Sequence, residues 1–482
     1  ASEVRAIRAH PLVAHRFNEA RIADFLVEPL EGVDRTSTFY QNISRLPPAH
    51  RITLSADSLS IDHYWQLDPG RELKLGSDAE YTEAFRALLD EAVRARMRCK
   101  GQVACMVSGG VDSSTVAAVA RDLLVNSGAG PLRVYSGIAD DESLSLESQS
   151  IRRVLASGGF DSVTIRPGEI GTYEATLRNL FEHLEEPFDN HMTLIQMVYL
   201  LGRKHGDRVM LDGVEGDQSH SLTPGYPAYL IRQGHLITAY REVLGLWNNF
   251  HYPGDRSVAA LLRKSVRPAF VPNWLRRWRN RHLLDRLAAQ PLQASCIKPD
   301  FADRARIAQR FHRFRNNVGI GLCDSLREQH IRSVEHPFMA VGKERYNRVA
   351  SLCGIEPRHP LLDKRLVELS ISLPWNQKVR HGRSKHLLRL TAEALLPREI
   401  AWRQSWENLG WEFTEQRMRL LGDTMRRKCV KMAPQLQRFI DDTLLERVLS
   451  SRSSDDQLED NNLLWEIYSL ASWLSRLNDP EH

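Results

Sequence analysis

The sequence predicts an α/β protein with a parallel sheet covered by helices on both faces. Two observations carry this. Short apolar runs alternate with stretches of helical periodicity from residue 78 onward, and a glycine turn follows two of those runs, at SGGVDSS (108–114) and GVEGD (213–217). The size and composition agree. At roughly 150 residues per domain, 482 residues suggest about three domains, and 42% hydrophobic with 26% charged residues is ordinary globular composition. This excludes a disordered, collagen-like or disulfide-stapled chain.

Residues 1–70 read as β-rich. Short apolar runs alternate there with turn residues, and in ITLSADSLSIDHYW (52–65) the segment Ser-Ala-Asp-Ser joins two strand-like pieces into a hairpin. The chain opens on Ala1 in what reads as the middle of a domain, so a fragment is expected. From Asp78 to Met97 the spacing of Tyr81, Phe85, Leu88, Leu89 and Val93 gives an amphipathic helix, with Ser77 and Asp78 as caps. Strand Gln102–Val107, helix Ser113–Leu124, strand Arg133–Ile138, helix Leu144–Ser157 and strand Ser162–Ile165 follow. A helical stretch over 174–205 then leads into strand Arg208–Leu211. Residues 222–330 read as a helical insertion broken at Pro253, Pro268, Pro272 and Pro291, and residues 331–450 return to helical periodicity around EPRHPLLD. SSRSSDDQLEDNN is a polar linker before a last amphipathic helix, Leu463–Leu477.

Several function classes can be set aside. The six cysteines form no CxxC pair, so neither a zinc site nor a disulfide framework is expected. No apolar run approaches the ~20 residues that cross a bilayer, and no secretory signal pattern opens the chain; a cytoplasmic protein without membrane contact is expected. The net charge of +5 is too small to name a partner, although residues 261–316 hold fourteen Lys/Arg against three Asp.

SGGVDSS lies between the apolar run VACMV and a helix. Gly109 and Gly110 let the backbone approach an anion, and the helix N-terminus points free N–H groups and partial positive charge at the same place. The loop suits phosphate. It is not GxxxxGK[ST], so a P-loop kinase or GTPase is unsupported. Asp112 among phosphates requires a bridging cation, for which Mg²⁺ is the natural choice.

SGGVDSS resembles the SGGxDSS loop of PP-loop ATP pyrophosphatases. The resemblance implies that Ser108, Gly109, Gly110, Ser113 and Ser114 hold the phosphates of ATP and Asp112 the magnesium, with Ser136 and Gly137 near adenine. Further segments are similar to the asparagine-synthetase-like family: TSTFYQNISRLPPAH (36–50) resembles the end of its glutaminase-type domain. CGIEPRHPLLD, GRSKHLLRLTAEALLP and REIAWR, within 353–403, resemble its GVEARxPFLD, lysine-helix and LPxxIxWR segments. The implied organisation is a β-rich remnant of an Ntn-type glutaminase domain (1–72) and an ATP-binding synthetase domain (73–221 and 331–450). A basic helical insertion (222–330), and a linker with a C-terminal helix (451–482), complete it.

By the same resemblance Asp217 is a second magnesium carboxylate, Gly213 belongs to the second turn, and Lys385 and Arg389, four apart, contact phosphate. Glu356 is either the base that helps deprotonate an attacking amine or a support for Arg358. Two departures stand out. The family turn GEGSDE is replaced by GVEGDQ, which moves the glutamate one place to Glu215, an alternative base. The family lysine after the WR pair is replaced by Gln404, Ser405 and Trp406. Either another cation such as Arg403 substitutes, or catalysis is weak.

The resemblance implies an ATP-dependent, AMP-forming ligase that adenylates a carboxylate and couples it to an amine. Its substrate is expected to be a small molecule or a peptide. A lasso-peptide-type macrolactam cyclase, with a possible peptide-processing partner protein, is the preferred branch. A glutamine-dependent asparagine synthetase and a non-catalytic scaffold for peptide or RNA are the alternatives. PNWLRRWRNRHLLDR (272–286) could stack and neutralise RNA, form an ordinary helix with core tryptophans, or dock a peptide; nucleic acid is the less favoured partner.

Overall fold

In the computed structural model, the residues described are 1–14, 16–27, 30–188, 192–222, 225–249, 257–270, 275, 292–293, 295–318, 325–403, 407–450 and 458–477. The N-terminal segment is less strand-rich than its sequence suggests. It holds helices α1 (Val4–Arg8) and α2 (Glu19–Leu26), and among its described residues a single hairpin, β1 (His50–Leu54) with β2 (Leu59–His63). The reason is periodicity: Ile22, Phe25 and Leu26, spaced three and four apart, are all buried. Phe39 packs edge-on against Trp473, with ring centroids 5.6 Å apart, and Trp473 Nε1 donates to the Glu185 carbonyl at 2.9 Å. The segment is thereby fixed to the C-terminal helix Leu458–Leu477.

α3 (Asp78–Arg96) starts where the sequence places it, with Ser77 Oγ accepting from the Glu80 amide at 3.3 Å. A five-stranded, all-parallel sheet follows. β3 (Val103–Met106) leads to α4 (Val111–Asn126), β4 (Leu132–Gly137) to α5 (Leu146–Ala156), and β5 (Phe160–Ile165) to α6 (Ile170–Glu182) and α7 (Thr193–Lys204). β6 (Val209–Leu211) leads to the short α8 (Gly216–His220), and β7 (Glu356–Arg358) closes the edge. The order is β5-β4-β3-β6-β7.

Strand alternation decides which core each side chain joins. Val103, Cys105, Val134, Val209 and Leu211 face α3 and α4, whereas Ala104, Met106, Tyr135 and Met210 face α7 and the C-terminal helices. Both faces are covered, which is why these runs are apolar nearly throughout. The chain moves from β3 outward to β4 and β5, then returns to the other side of β3 with β6. Such a reversal leaves a crevice at the carboxyl ends of the two central strands.

In the insertion, helix Val258–Phe270 runs through Pro268, contrary to the expected break. Proline removes the one hydrogen bond its own N–H would donate, and with Pro268 third from the helix's end only two helical residues follow it. Residues 295–318 are not free-standing: Ile297 bridges Ile440, and Phe301 packs on Phe439 with centroids 4.9 Å apart. The Trp/Arg-rich stretch 272–286, apart from Leu275, lies outside the described residues, as do 451–457 of the expected linker. Among the described residues no helix is long and apolar enough to cross a membrane, and Cys99, Cys105, Cys296, Cys353 and Cys429 are free thiols.

Candidate functional site

The crevice brings the two glycine turns together. Gly109 has φ +70°, and a Cβ there would lie 2.9 Å from the Ile151 amide nitrogen and from Ser150 Cβ, so only glycine fits between the loop and α5. Gly110 caps α4 without a side-chain hydrogen bond, leaving the first amides of a 16-residue helix directed at the crevice. Ser113 Oγ accepts from the Ser108 amide at 3.1 Å and lies 3.0 Å from Ser108 Oγ, which holds the loop closed on itself. Ser114 Oγ, Ser136 Oγ and Asp112 Oδ1 are buried with no protein partner. Such polar atoms are costly unless something else satisfies them, and a polyanion with its counter-cation has the matching chemistry. Gly137, next to Ser136 at the end of β4, lies against Leu194 and Phe413.

The second turn is pressed against the first. Any Cβ on Gly213 would overlap the Ser113 amide nitrogen. Glu215 adopts a left-handed backbone (φ +66°) at the start of α8, an unfavourable conformation of the kind that concentrates at functional sites. Asp217 on α8 reaches the same point as Asp112, and Lys385 joins them: its Nζ lies 2.5 Å from Asp112 Oδ2 and 2.8 Å from Asp217 Oδ1. Lys385 precedes its helix, His386–Glu393, rather than lying on it; a left-handed φ of +60° swings the side chain into the crevice.

Burial works against the Lys385 charge, but the facing Asp112 and Asp217 carboxylates outweigh it and hold the ammonium above its ordinary pKa. Burial pushes the Asp112 carboxyl up, against the pull of Lys385. Among the described residues no group of three or more His, Cys, Asp or Glu could by itself hold a metal ion. Two carboxylates in a phosphate cradle suit Mg²⁺, which characteristically takes its remaining ligands from phosphate and water.

Not every expected residue arrives. Arg389 is buried, and its guanidinium donates to the carbonyls of Ser384 (2.8 Å), Ala401 (2.9 Å) and Arg403 (3.2 Å), so it braces the wall of the crevice. Arg403 reaches the loop, donating to the Gly109 carbonyl at 3.1 Å. Gln404, Ser405 and Trp406 lie outside the described residues. Glu356 opens β7 opposite Val209, two residues before the carboxyl end of the sheet, and forms a bidentate pair with Arg358 at 2.9 and 3.0 Å. It is exposed and is not gathered with the two turns. Glu215 does border the crevice, where its Oε1 accepts from Lys343 Nζ at 3.0 Å.

Sequence reasoning missed Lys343, which sits on the helix Pro337–Leu352 among ordinary surface charges. It also missed Asp212 and His359. Asp212 is buried between β6 and the second turn; its Oδ1 accepts from His359 Nδ1 at 2.8 Å and from the Val214 amide at 3.1 Å. His359 Nε2 is buried and without a partner. The histidine inside EPRHPLLD was the available signal.

Residues 84–475 match the asparagine synthase family. The chain is 23% identical over 412 residues to asparagine synthetase [glutamine-hydrolyzing] 3 of Bacillus subtilis, covering 84% of this chain and 60% of that protein. It is 38% identical over 95 residues to the amidase chry2 of Gibberella zeae, covering 19% of this chain and 14% of that protein. It is 39% identical over 62 residues to asparagine synthetase B of Escherichia coli, covering 12% and 11%. The chain thus spans about 60% of the length of the Bacillus relative. With the matched family reaching over most of the chain and the paired glycine turns at the head of its parallel sheet, this protein belongs to the asparagine synthase family.

Proposed function

We propose that this chain is an ATP-dependent, AMP-forming ligase that adenylates a carboxylate and passes the acyl group to an amine. The observation that carries the reading is the Asp112–Lys385–Asp217 cluster, set beside the unpartnered Asp112 and Ser114 oxygens at the N-terminus of α4. The Ser108–Ser114 loop would hold the phosphates of ATP, with Ser136 and Gly137 toward the adenine. Asp112 and Asp217 would hold Mg²⁺, which when bound neutralises charge on the departing pyrophosphate.

In the first step the substrate carboxylate oxygen forms a bond to the α-phosphorus of ATP, and the bond to the β-phosphate oxygen breaks with its electron pair on pyrophosphate. In the second the amine nitrogen bonds to the acyl carbon and AMP departs with the carboxylate oxygen. A base takes the amine proton. Lys385 supplies positive charge where negative charge is exchanged. Each glutamate has a cationic partner, Lys343 for Glu215 and Arg358 for Glu356, and Glu215 is better placed as the base because it stands on the second turn beside Asp217, whereas Glu356 is set back at the start of β7. Arg403, held at the Gly109 carbonyl, is the cation nearest in sequence to the position where the family lysine is missing.

The preferred substrate is a peptide whose own amine closes a macrolactam, as the EPRHPLLD region, the helical insertion and the altered GVEGD turn suggest. The asparagine synthetase names of the relatives favour aspartate as the second reading. ATP–pyrophosphate exchange with magnesium tests both, first with aspartate and then with a peptide pool from the source cell. Exchange with peptide alone supports the cyclase, exchange with aspartate supports the synthetase, and exchange with neither removes the ligase reading.

A further inference from the structure

The second glycine turn presents Asp217 on α8, a helix of five residues that is too short to hold its own place. Ser221 leaves the helix in extended backbone, so the last carbonyls of α8 need partners from outside it. Asp217 does not anchor the helix either. Its side chain is 72% exposed and, among the described residues, its polar contact is the Lys385 ammonium. The position of this carboxylate is therefore set by the position of the α8 backbone.

Two buried imidazoles meet that backbone. His330, on the helix Leu326–Val334 and 1% exposed, has its Nε2 3.1 Å from the carbonyl oxygens of both Gln218 and Ser219. His220, the last residue of α8, has its Nε2 2.9 Å from the Leu361 carbonyl oxygen and its ring edge-on to Phe85. Carbonyls only accept, so the His330 Nε2 carries a proton and donates to them. Burial first, and the Lys378 charge second, hold this ring well below the usual histidine pKa, so it is neutral and its Nδ1 is an acceptor. Lys378 fills that acceptor: its Nζ lies 3.0 Å from Nδ1 and donates also to the Ile371 carbonyl at 3.2 Å. The tautomer is fixed from both sides.

Lys378 has no other evident use. It ends the helix Trp375–Lys378, is 3% exposed and forms no ion pair with a carboxylate among the described residues. Burial brings its pKa down to about 7. A cation buried without a counter-charge lowers stability compared with an apolar side chain of similar size. Its contact with His330 gives that cost a purpose.

Resting on the ligase reading above, we propose that His330 is a positioning residue for Asp217, setting the second magnesium carboxylate through the Gln218 and Ser219 carbonyls, and that Lys378 keeps His330 in the one tautomer able to do so. Both act through the α8 backbone. Asp112, the first carboxylate, stands on α4 and bonds to neither.

The test measures ATP binding to the full chain by calorimetry over a series of Mg²⁺ concentrations, with the melting temperature recorded beside it. His330→Met leaves two buried carbonyls unpaired and should raise the Mg²⁺ midpoint about tenfold, the size expected when a partner that orients a metal ligand is lost. His330→Gln can place an amide N–H where Nε2 stands, and should bring the midpoint back to within about twofold of the wild type. Lys378→Met separates positioning from stability. Removal of an unpaired buried charge should leave the melting temperature level or higher, while the midpoint rises about threefold as the tautomer is released.

A wild-type midpoint in Lys378→Met or in His330→Met overturns the proposal, as does a His330→Gln midpoint as high as that of His330→Met. A fall in the melting temperature of Lys378→Met that accompanies the rise in midpoint marks a merely structural role and overturns it too. Should His330→Met fail to fold, Lys378→Met decides alone. Absence of Mg²⁺-dependent ATP binding in the wild type sinks the ligase reading and this proposal with it, whereas such binding with unshifted variants sinks only this one.

Discussion

The two glycine turns occupy equivalent places at the ends of neighbouring strands, yet they are held in different ways. SGGVDSS takes most of its shape from within: a positive-φ glycine, a serine-to-serine closure and the first turn of a 16-residue helix all fall within seven positions. GVEGD opens a helix of only five residues and depends more on distant chain: Lys343 for Glu215 and His359 for the neighbouring Asp212, with Lys385 shared between Asp217 and the Asp112 of the first turn. A local loop can hold phosphate. Positioning a second carboxylate and a base beside it requires the rest of the fold.

The largest effect expected is at the first turn. Asp112→Asn should lower pyrophosphate exchange by about 10²–10³-fold with little change in melting temperature, since it removes charge at the reacting phosphates without changing volume. Asp217→Asn, at a side chain 72% exposed, should cost less; an equal loss would mean that the two carboxylates act as one unit. Gly213→Ala tests how closely the turns are pressed. The overlap with Ser113 should cost about 1–3 kcal/mol in denaturant unfolding and weaken ATP binding, and a variant that binds ATP normally would show that the turns can separate.

The two glutamates sharpen the comparison further. Glu215→Gln should reduce the turnover of adenylate to amide by about 10²-fold, in the range for loss of a general base. Glu356→Gln should leave turnover within about twofold and stability within about 1 kcal/mol, because its pair with Arg358 is exposed. Equal losses would return Glu356 to the site.

A pH dependence is expected at the edge of the first turn. Burial pushes the Glu147 carboxyl up to about 7. Its Oε2 accepts from the Leu409 amide at 3.0 Å, and Glu407 Oε2 accepts from the Glu147 amide at 2.6 Å. A carboxyl whose folded pKa is raised opposes folding once ionised, so that cost is absent below the ordinary glutamate pKa and complete above about 7. Glu147→Gln should therefore be more stable than the wild type by about 1–2 kcal/mol at pH 8, after allowance for solvent screening, and equal to it near pH 4. Thermal unfolding at the two pH values checks this.

Much of the fold was legible because its signals are local. The α3 cap at Ser77, the apolar VACMV run and the loop after it need no distant partner to be recognised. The N-terminal segment misled because turn residues and short apolar runs resemble strands, while Ile22, Phe25 and Leu26 take their helical face from packing within the common core. Glu356 misled for a related reason: a motif gives a residue's place in the chain but not which end of a strand it occupies. Pairing with Val209 sets it back from the crevice, and Arg358 is near enough to engage it.

By itself the sequence determined the parallel α/β class and a glycine loop with Asp112 of a shape suited to phosphate, because glycine conformation, helix dipole and strand periodicity act over a few residues; the pairing of that loop with a second glycine turn entered through the family resemblance. Only the tertiary structure decided that Lys385 stands between Asp112 and Asp217, that Arg389 braces backbone carbonyls and that Arg403 reaches Gly109. Those arrangements depend on where parts of the chain as much as 294 residues apart meet around one sheet, a distance over which local conformational preference carries no information.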